Sequence, residues 1–406
     1  MNKKIFSLRP SIPLPPMELN FNNTQVAFRH KSNAEIRLAF LLFSSMARPW
    51  ITKSGIAFTK TCLQFRLPVK WLIKGSIFRQ FCGGETLEEA DQTARKLATH
   101  GVHVIMDYGV EGKSDEKEFE QTTQNFLKTI SFSATKEYIP FVSLKFTGFC
   151  RFELLEKLHD GSPLSEPEVA ETIRFRERVD RICAAAAASG KMILIDAEES
   201  WIQNPVDQLC DEMMAKYNRD RVVVFNTFQL YRHDRFHFLK QSYEKASAGG
   251  YLLGAKLVRG AYMEKERFRA NDLSYTDPIQ PDKASTDRDY DDAATFCLQH
   301  IDRIALFAGT HNEASTLKIA NQMKQLNLVP GHPHIHFSQL FGMSDNISFN
   351  LAAAGYQVSK YLPYGPVQDV IPYLMRRAEE NTSVAGQTSR ELNLIRKEME
   401  RRKKKL

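Results

Sequence analysis

The sequence predicts an α/β fold, a (β/α)8 barrel of the TIM type preceded by an N-terminal helical arm, and three observations carry this. From residue 102 onward, short apolar runs rich in β-branched residues recur eight times, with stretches of helical periodicity between them. The runs are nearly continuous in apolar character rather than alternating, as strands covered on both faces of a parallel sheet are. Polar residues stand at the carboxyl end of nearly every run, the rim on which barrels of this kind carry their chemistry. An open doubly wound sheet competes, but no Gly-x-Gly-x-x-Gly follows any of the runs.

The elements follow in order. Residues 33–100 read as helices: Asn33 is placed to cap a first one, Pro49 to end it, and Thr86 with Glu88 and Glu89 to open another that Gly101 closes. The eight strands are expected at 102–106, 141–145, 192–196, 221–225, 255–259, 304–308, 334–338 and 357–361, with a helix at 367–381 after the last. This divides the chain into an arm (1–100), a barrel (101–385) and a basic helical tail (386–406). The connection 264–288 is longer than strand counting explains. The chain has 406 residues, 43% of them hydrophobic, enough for a large core, and no apolar run reaches the ~18 residues of a membrane helix. The basic start, Met1-Asn2-Lys3-Lys4, runs quickly into four prolines between Pro10 and Pro16, which suits neither a signal peptide nor an amphipathic transit helix, so a cytoplasmic location is expected. Six scattered cysteines without a Cys-x-x-Cys read as free thiols. The net charge of +7 is modest, lies partly in the 401–405 basic run, and accompanies no nucleic-acid-binding module. That run reads either as a solvated tail or as an attraction to an anionic membrane surface.

The rim residues define the candidate chemistry. They include Glu111 in the first strand-end loop, Lys145, Asp196-Ala197-Glu198, Gln229, Lys256 and Arg259-Gly260-Ala261-Tyr262, Thr310-His311-Asn312, Leu340 and Tyr361. On the 367–381 helix, Tyr373, Arg376, Arg377 and Glu380 fall at i, i+3, i+4 and i+7 and share one face. Adjacent guanidinium groups suit a small carboxylate, although an Arg376–Glu380 pair on a solvated face reads the same helix. Lys145, Arg376 and Arg377 form a cationic set for an anionic substrate. Lys256 and Arg259, three apart, point to opposite faces of an unbent strand. Arg259-Gly260-Ala261 lets backbone N–H groups approach a phosphate or flavin, and Thr310-His311-Asn312 opens a helix in the same way, with an ordinary N-cap as the plainer reading of Asn312. His332, His334 and His336 alternate, but Pro333 and the lack of an adjacent carboxylate speak against a metal site, and none is expected.

These residues resemble the proline dehydrogenase family. The similarity is carried by Asp196-Ala197-Glu198, by Lys256-Leu257-Val258-Arg259-Gly260-Ala261-Tyr262, by Asp277-Pro278-Ile279 and by Thr310-His311-Asn312. It extends through Tyr361-Leu362-Pro363-Tyr364-Gly365 to Tyr373-Leu374-Met375-Arg376-Arg377 and Glu380-Asn381. The resemblance implies a distorted barrel with the last helix above its mouth, and FAD-dependent hydride removal from C5 of L-proline, giving Δ1-pyrroline-5-carboxylate and passing electrons to a membrane quinone. It implies that Arg376, Arg377 and Lys145 clamp the substrate carboxylate and that Tyr262, Leu340 and Tyr361 wall its ring. Asp196 would bond near the substrate and orient Lys145, and Lys256 would sit by the flavin N5 edge. Ala197, Gln229, Arg259, Gly260, Ala261, Thr310, His311 and Asn312 would line the FAD, and Glu111 would gate the site by pairing with Arg376. Glu380 would support the arginines. Bifunctional members resemble Arg-Leu-Val-Lys in strand five where this chain has Lys256-Leu257-Val258-Arg259, so the flavin contacts of those two positions transfer least directly. With no aldehyde dehydrogenase segment following, a separate pyrroline-5-carboxylate dehydrogenase is expected, and quinone access implies peripheral contact with the inner membrane. A metal-dependent barrel hydrolase, a non-catalytic membrane-peripheral scaffold and a hydroxyproline dehydrogenase are the alternatives.

Overall fold

The computed structural model describes residues 19–64, 70–109, 114–383 and 387–404, the side chains of 58–64, 380–383 and 387 excepted. Eight parallel strands close into a barrel: β1 (His103–Tyr108), β2 (Phe141–Leu144), β3 (Met192–Ile195), β4 (Val224–Gln229), β5 (Leu253–Val258), β6 (Ile304–Gly309), β7 (Ile335–Leu340) and β8 (Val358–Tyr364). Each pairs with its neighbours in sequence, and β8 closes on β1 with Ile105 opposite Tyr361. The expected strands are all present. The fourth begins three residues late, because the Asn218 side-chain carbonyl accepts from Val223 N (2.8 Å) and Val224 N (2.9 Å) and holds that backbone in a turn. Asn226, Thr227 and Gln229 therefore lie inside β4 rather than beyond it. The long connection after β5 is filled by a helix, Met263–Asp272, and by a bridge of Ile279 to Arg232.

In the arm, Ser32 rather than Asn33 caps the first long helix, Asn33–Met46. Its hydroxyl accepts from Glu35 N while the Glu35 carboxylate returns to Ser32 N, a reciprocal cap that Asn33 one residue later cannot make. Pro49 opens the next helix, Pro49–Gln64, where its missing N–H costs nothing. Thr86 caps Leu87–Ala98 as expected, accepting from Glu89 N at 3.2 Å. The helix after β8, Val367–Ser383, buries Val370, Ile371, Leu374 and Ala378 against Phe43, Ile73 and Phe78 of the arm and Ile395 of the last helix, Gln387–Lys403. Cys82, Cys150, Cys183, Cys210 and Cys297 are buried and free.

One close approach joins arm to barrel. The Gln80 amide donates to Gly342 O at 2.6 Å, and Gly342, after β7, has φ +81° with an ideal Cβ only 2.0 Å from Gln80 O. Only glycine fits both the dihedral and the space. Gly342→Ala is expected to lower the unfolding free energy by about 2–4 kcal/mol; urea denaturation showing a loss under ~0.5 kcal/mol would mean that this junction yields freely.

Candidate active site

Strand alternation builds the site in two layers. Ile105, Phe141, Leu194, Phe225, Ala305, Phe307 and Tyr361 form an apolar cluster inside the barrel. Residues two positions further along a strand keep the same inward direction. That places Asp107, Ser143, Asp196 and Thr227 above the apolar layer, with Lys145, still extended at φ −121° and ψ 141°, one step higher.

Asp196 is the centre of the upper layer. It accepts from Ser143 Oγ (2.9 Å), from Tyr361 Oη (2.8 Å) and from Lys256 Nζ, with Lys145 Nζ at 3.9 Å from Oδ2. Burial alone would raise its pKa, but Lys256 and Lys145, with the bonds from Lys256 and Tyr361, hold it below the usual 3.8. Asp196 is thus a standing anion at neutral pH. Burial, with Asp107 and Asp196 nearby, pushes the Tyr361 phenol well above its ordinary value, so it stays a donor and its ring is fixed by its own hydrogen bond. The Lys256 ammonium lies 5.5 Å from the centre of that ring. Lys145 is placed by its own turn: the Thr147 hydroxyl, two residues on, donates to buried Glu198 at 2.8 and 3.0 Å.

A second centre forms where β5 and β6 end. Arg259 leaves the strand and splits its guanidinium among Asp287 (2.7 Å), Thr310 Oγ1 (2.7 Å) and Ser315 Oγ (2.9 Å), over the Tyr290 ring at 4.4 Å. Lys256 and Arg259 therefore serve different neighbourhoods, as their spacing implied. Gly260, at φ +129°, presents bare backbone: an ideal Cβ there would stand 2.4 Å from Tyr231 ring atoms. Ala261 is exposed, and Tyr262 is half-buried where Met263–Asp272 begins. Asn312 caps the helix Glu313–Gln325, accepting from Ala314 N (2.9 Å) and Ser315 N (3.1 Å), which leaves its amide N–H groups as what it has to offer a ligand. The imidazole of His311 pairs with Ser344 Oγ at 2.9 Å; burial, then the charges of Lys360, Arg377 and Arg259, lower its pKa to about 3, so it is neutral. Arg259 thus stands beside a helix N-terminus, an arrangement that suits an anion. Gln229 and Ala197 are buried at the ends of β4 and β3.

On the helix over the mouth, Tyr373 and Arg377 are buried and Arg376 is half-buried, which is not how a solvated face behaves. The Arg377 guanidinium lies 5.1 Å from the centre of the Tyr373 ring. Leu340, opposite Tyr361 in the sheet, packs against both the interior cluster and the one beneath this helix. Glu111 lies outside the described residues, as does the Glu380 side chain. The three histidines near β7 go separate ways. His336 bonds Ser359 Oγ at 2.7 Å inside the barrel, His334 meets Ile301 O at 2.7 Å, and His332 accepts from His334 N. Among the described residues, no three potential ligands stand together for a metal.

Three contributors were not picked out from the sequence. Ser143 was legible by alternation, two residues before Lys145. Ser344, at φ +50°, and Glu391 on the last helix were not: Ser344 N donates to the Glu391 carboxylate while its hydroxyl holds His311, so a tail residue is one residue removed from the anion-binding end.

Comparison with known proteins agrees with this geometry. The family model described as proline dehydrogenase matches residues 90–390. Mitochondrial proline dehydrogenase 1 of Dictyostelium discoideum is 33% identical over 438 residues, covering 96% of this chain and 77% of the relative. The hydroxyproline dehydrogenase of Xenopus laevis is also 33% identical, over 95% of this chain and 90% of its own. Proline utilization A of Bdellovibrio bacteriovorus superposes with a TM-score of 0.74 over 90% of this chain at 19% identity, a likeness of fold in which this chain spans 42% of the longer one.

The buried Glu391 gives a pH prediction. Burial and the nearby Asp345 raise its carboxyl from 4.5 to about 7, against the pull of Ser344 N, Lys360 and Lys31. The folded state then holds this proton more tightly than the unfolded chain, so its contribution is full below pH 4.5 and is lost as pH rises toward 7. Relative to wild type, Glu391→Gln is expected to gain about 3 kcal/mol of unfolding free energy across that window. Parallel pH profiles from denaturant titrations would contradict the assignment.

Proposed function

The chain belongs to the proline dehydrogenase family, and from that premise we propose how its rim divides the work of oxidising L-proline, the first step of proline catabolism. The observation that carries the reading is the anionic Asp196 with Tyr361, Lys256 and Lys145 gathered on it, beneath a helix whose Arg377 is buried. Arg376, Arg377 and Lys145 hold the proline carboxylate, which orients the ring and removes most of its freedom before reaction. Tyr361, Leu340 and Tyr262 wall the ring and exclude water. Asp196 fixes the Tyr361 phenol and keeps both lysine ammonium groups in place.

The residues fit a flavin. Arg259 and the N-terminus of Glu313–Gln325 offer charge and N–H groups to a pyrophosphate, and Gly260, bare where the Tyr231 ring packs on it, lets the backbone turn beside them. Thr310, His311, Asn312, Ala261, Gln229 and Ala197 complete the lining, and Lys256 borders it. A bound FAD would supply the hydride acceptor for C5 of proline. The product, Δ1-pyrroline-5-carboxylate, passes to a separate dehydrogenase, and the electrons pass to a membrane quinone. No helix among the described residues is long and apolar enough to cross a membrane. We place the protein in the cytoplasm, in peripheral contact with the inner membrane.

Anaerobic addition of L-proline to the purified protein tests the reading: a yellow protein whose flavin absorbance bleaches supports it, and a colourless protein carrying stoichiometric zinc rejects it. Arg377→Met should raise the proline KM about ten- to hundredfold, the range for charged hydrogen bonds, with flavin retained; an unchanged KM in steady-state assays removes Arg377 from the clamp. Tyr361 sets the substrate as proline rather than hydroxyproline, because its tethered ring fills the space a C4 hydroxyl needs. Tyr361→Ser should shift the hydroxyproline-to-proline ratio of kcat/KM upward by about tenfold or more, and a constant ratio would assign selectivity elsewhere.

A further inference from the structure

We propose that the outer face of the arm helices is a docking surface for an anionic lipid bilayer, with Trp50, Trp71 and Leu72 as its apolar anchors and Arg48 and Lys53 among its cations. This deepens the membrane contact proposed above and rests on it, but it does not depend on the substrate.

The open tryptophans of the chain lie on this face. Trp50 is 69% exposed, Trp71 74%, Leu72 49% and Leu41 65%, whereas the third tryptophan of the chain, Trp201, is 9% exposed. Large apolar side chains of this kind rarely remain so open without a partner. The helices are amphipathic in an ordinary way on their inner sides: Ile73 packs beside Phe43 and Phe78 while Trp71 and Leu72, one or two residues earlier, point out. Pro49–Gln64 likewise turns Thr52 inward, with Trp50 and Lys53 outside.

Charge identifies the partner. Between Glu35 and Glu85 the chain carries eight Lys or Arg and not one Asp or Glu, although acids are nearly as numerous as bases overall, 48 against 55. Interleaved tryptophan and cation without carboxylate is what an anionic headgroup layer selects: the rings settle at the interface and each cation adds attraction. A protein partner would tolerate acids in the stretch, whereas a uniformly anionic surface penalises them.

Position agrees. Both Pro49–Gln64 and Lys70–Ile73 pack on Val367–Ser383, the helix after β8, so the face lies on the mouth side of the barrel. In the other basic candidate, the 401–405 run, Arg401 and Arg402 are engaged with their own chain. Arg401 and Arg402 grip Glu398 at 2.7 Å, and Arg402 also donates to Phe28 O and Asn33 Oδ1, both at 2.8 Å.

The test is a vesicle titration of the full protein, read by tryptophan emission and co-sedimentation, with phosphatidylcholine–phosphatidylglycerol vesicles and with phosphatidylcholine alone. Binding to the anionic vesicles with a blue shift is expected, because two of the three tryptophans would enter the interface. Trp50→Ser/Trp71→Ser should abolish the shift, and Arg48→Gln/Lys53→Gln should weaken partitioning about thirtyfold. Dye-coupled proline oxidation by both variants should match wild type, which certifies their fold and separates this outcome from failure of the proline reading. Equal binding by wild type and variants overturns the proposal. So does emission that is already blue and unresponsive, which would mean that the chain covers its own patch. A concentration-dependent mass in light scattering that the tryptophan variant loses would make the face a contact between two copies instead.

Discussion

The site depends on keeping one carboxylate charged inside a barrel. Removing Asp196 from water is expensive, and the cost is offset only if its lone pairs are satisfied and opposite charge stands close. The fold supplies both from three strands. Ser143 and Tyr361 donate from β2 and β8, Lys256 contacts it from β5, and Lys145 waits at the end of β2. Each partner is fixed by the acid it satisfies. The Tyr361 ring becomes a rigid wall because its hydroxyl has a destination, and Lys256 is held under that ring because the same carboxylate fixes its ammonium. Loss of Asp196 would therefore alter shape and charge together.

A second buried acid does comparable work outside the chemistry. Asp345 receives Lys360 from β8 (2.9 Å), Lys31 from the arm (3.0 Å) and His30 (3.4 Å), and Lys360, wholly enclosed, also donates to Met343 O at 2.5 Å. The loop after β7 is thereby tied to the arm on one side. On the other it meets the last helix through Glu391 and Ser344. His311 hangs from that same serine. The helical segments before and after the barrel thus brace the loop that orients the candidate cofactor-binding end.

Much of this was legible because a barrel imposes periodicity. Near-continuous apolar runs marked the strands, and the residue after each run marked the rim. β4 was misplaced because a single asparagine side chain, Asn218, holds two backbone N–H groups that apolar patterning assigns to the strand. Arg377 was ambiguous for a related reason: its helix reads as amphipathic whether its polar face meets water or the barrel mouth, and only the packing of the arm against the apolar face decides. Glu391 left no trace, since nothing in the pattern of the last helix tells a buried glutamate from its solvated neighbours.

The order Lys256-Leu257-Val258-Arg259 is the reverse of the Arg-Leu-Val-Lys that bifunctional members resemble, and the structure gives it a physical sense. Position 256 points inward, where a compact ammonium fits among Asp196 and the Tyr361 ring. Position 259 lies past the strand, where three acceptors, Asp287, Thr310 and Ser315, are arrayed around a fork, and the Tyr290 ring offers a face for it to stack on. A lysine at 259 has no planar fork to reach all three at once, and it would stack less well. The two cations are therefore not exchangeable in this chain as it is built. A relative with the opposite order must reshape the surroundings of both positions, the acid inside the barrel and the acceptors outside it.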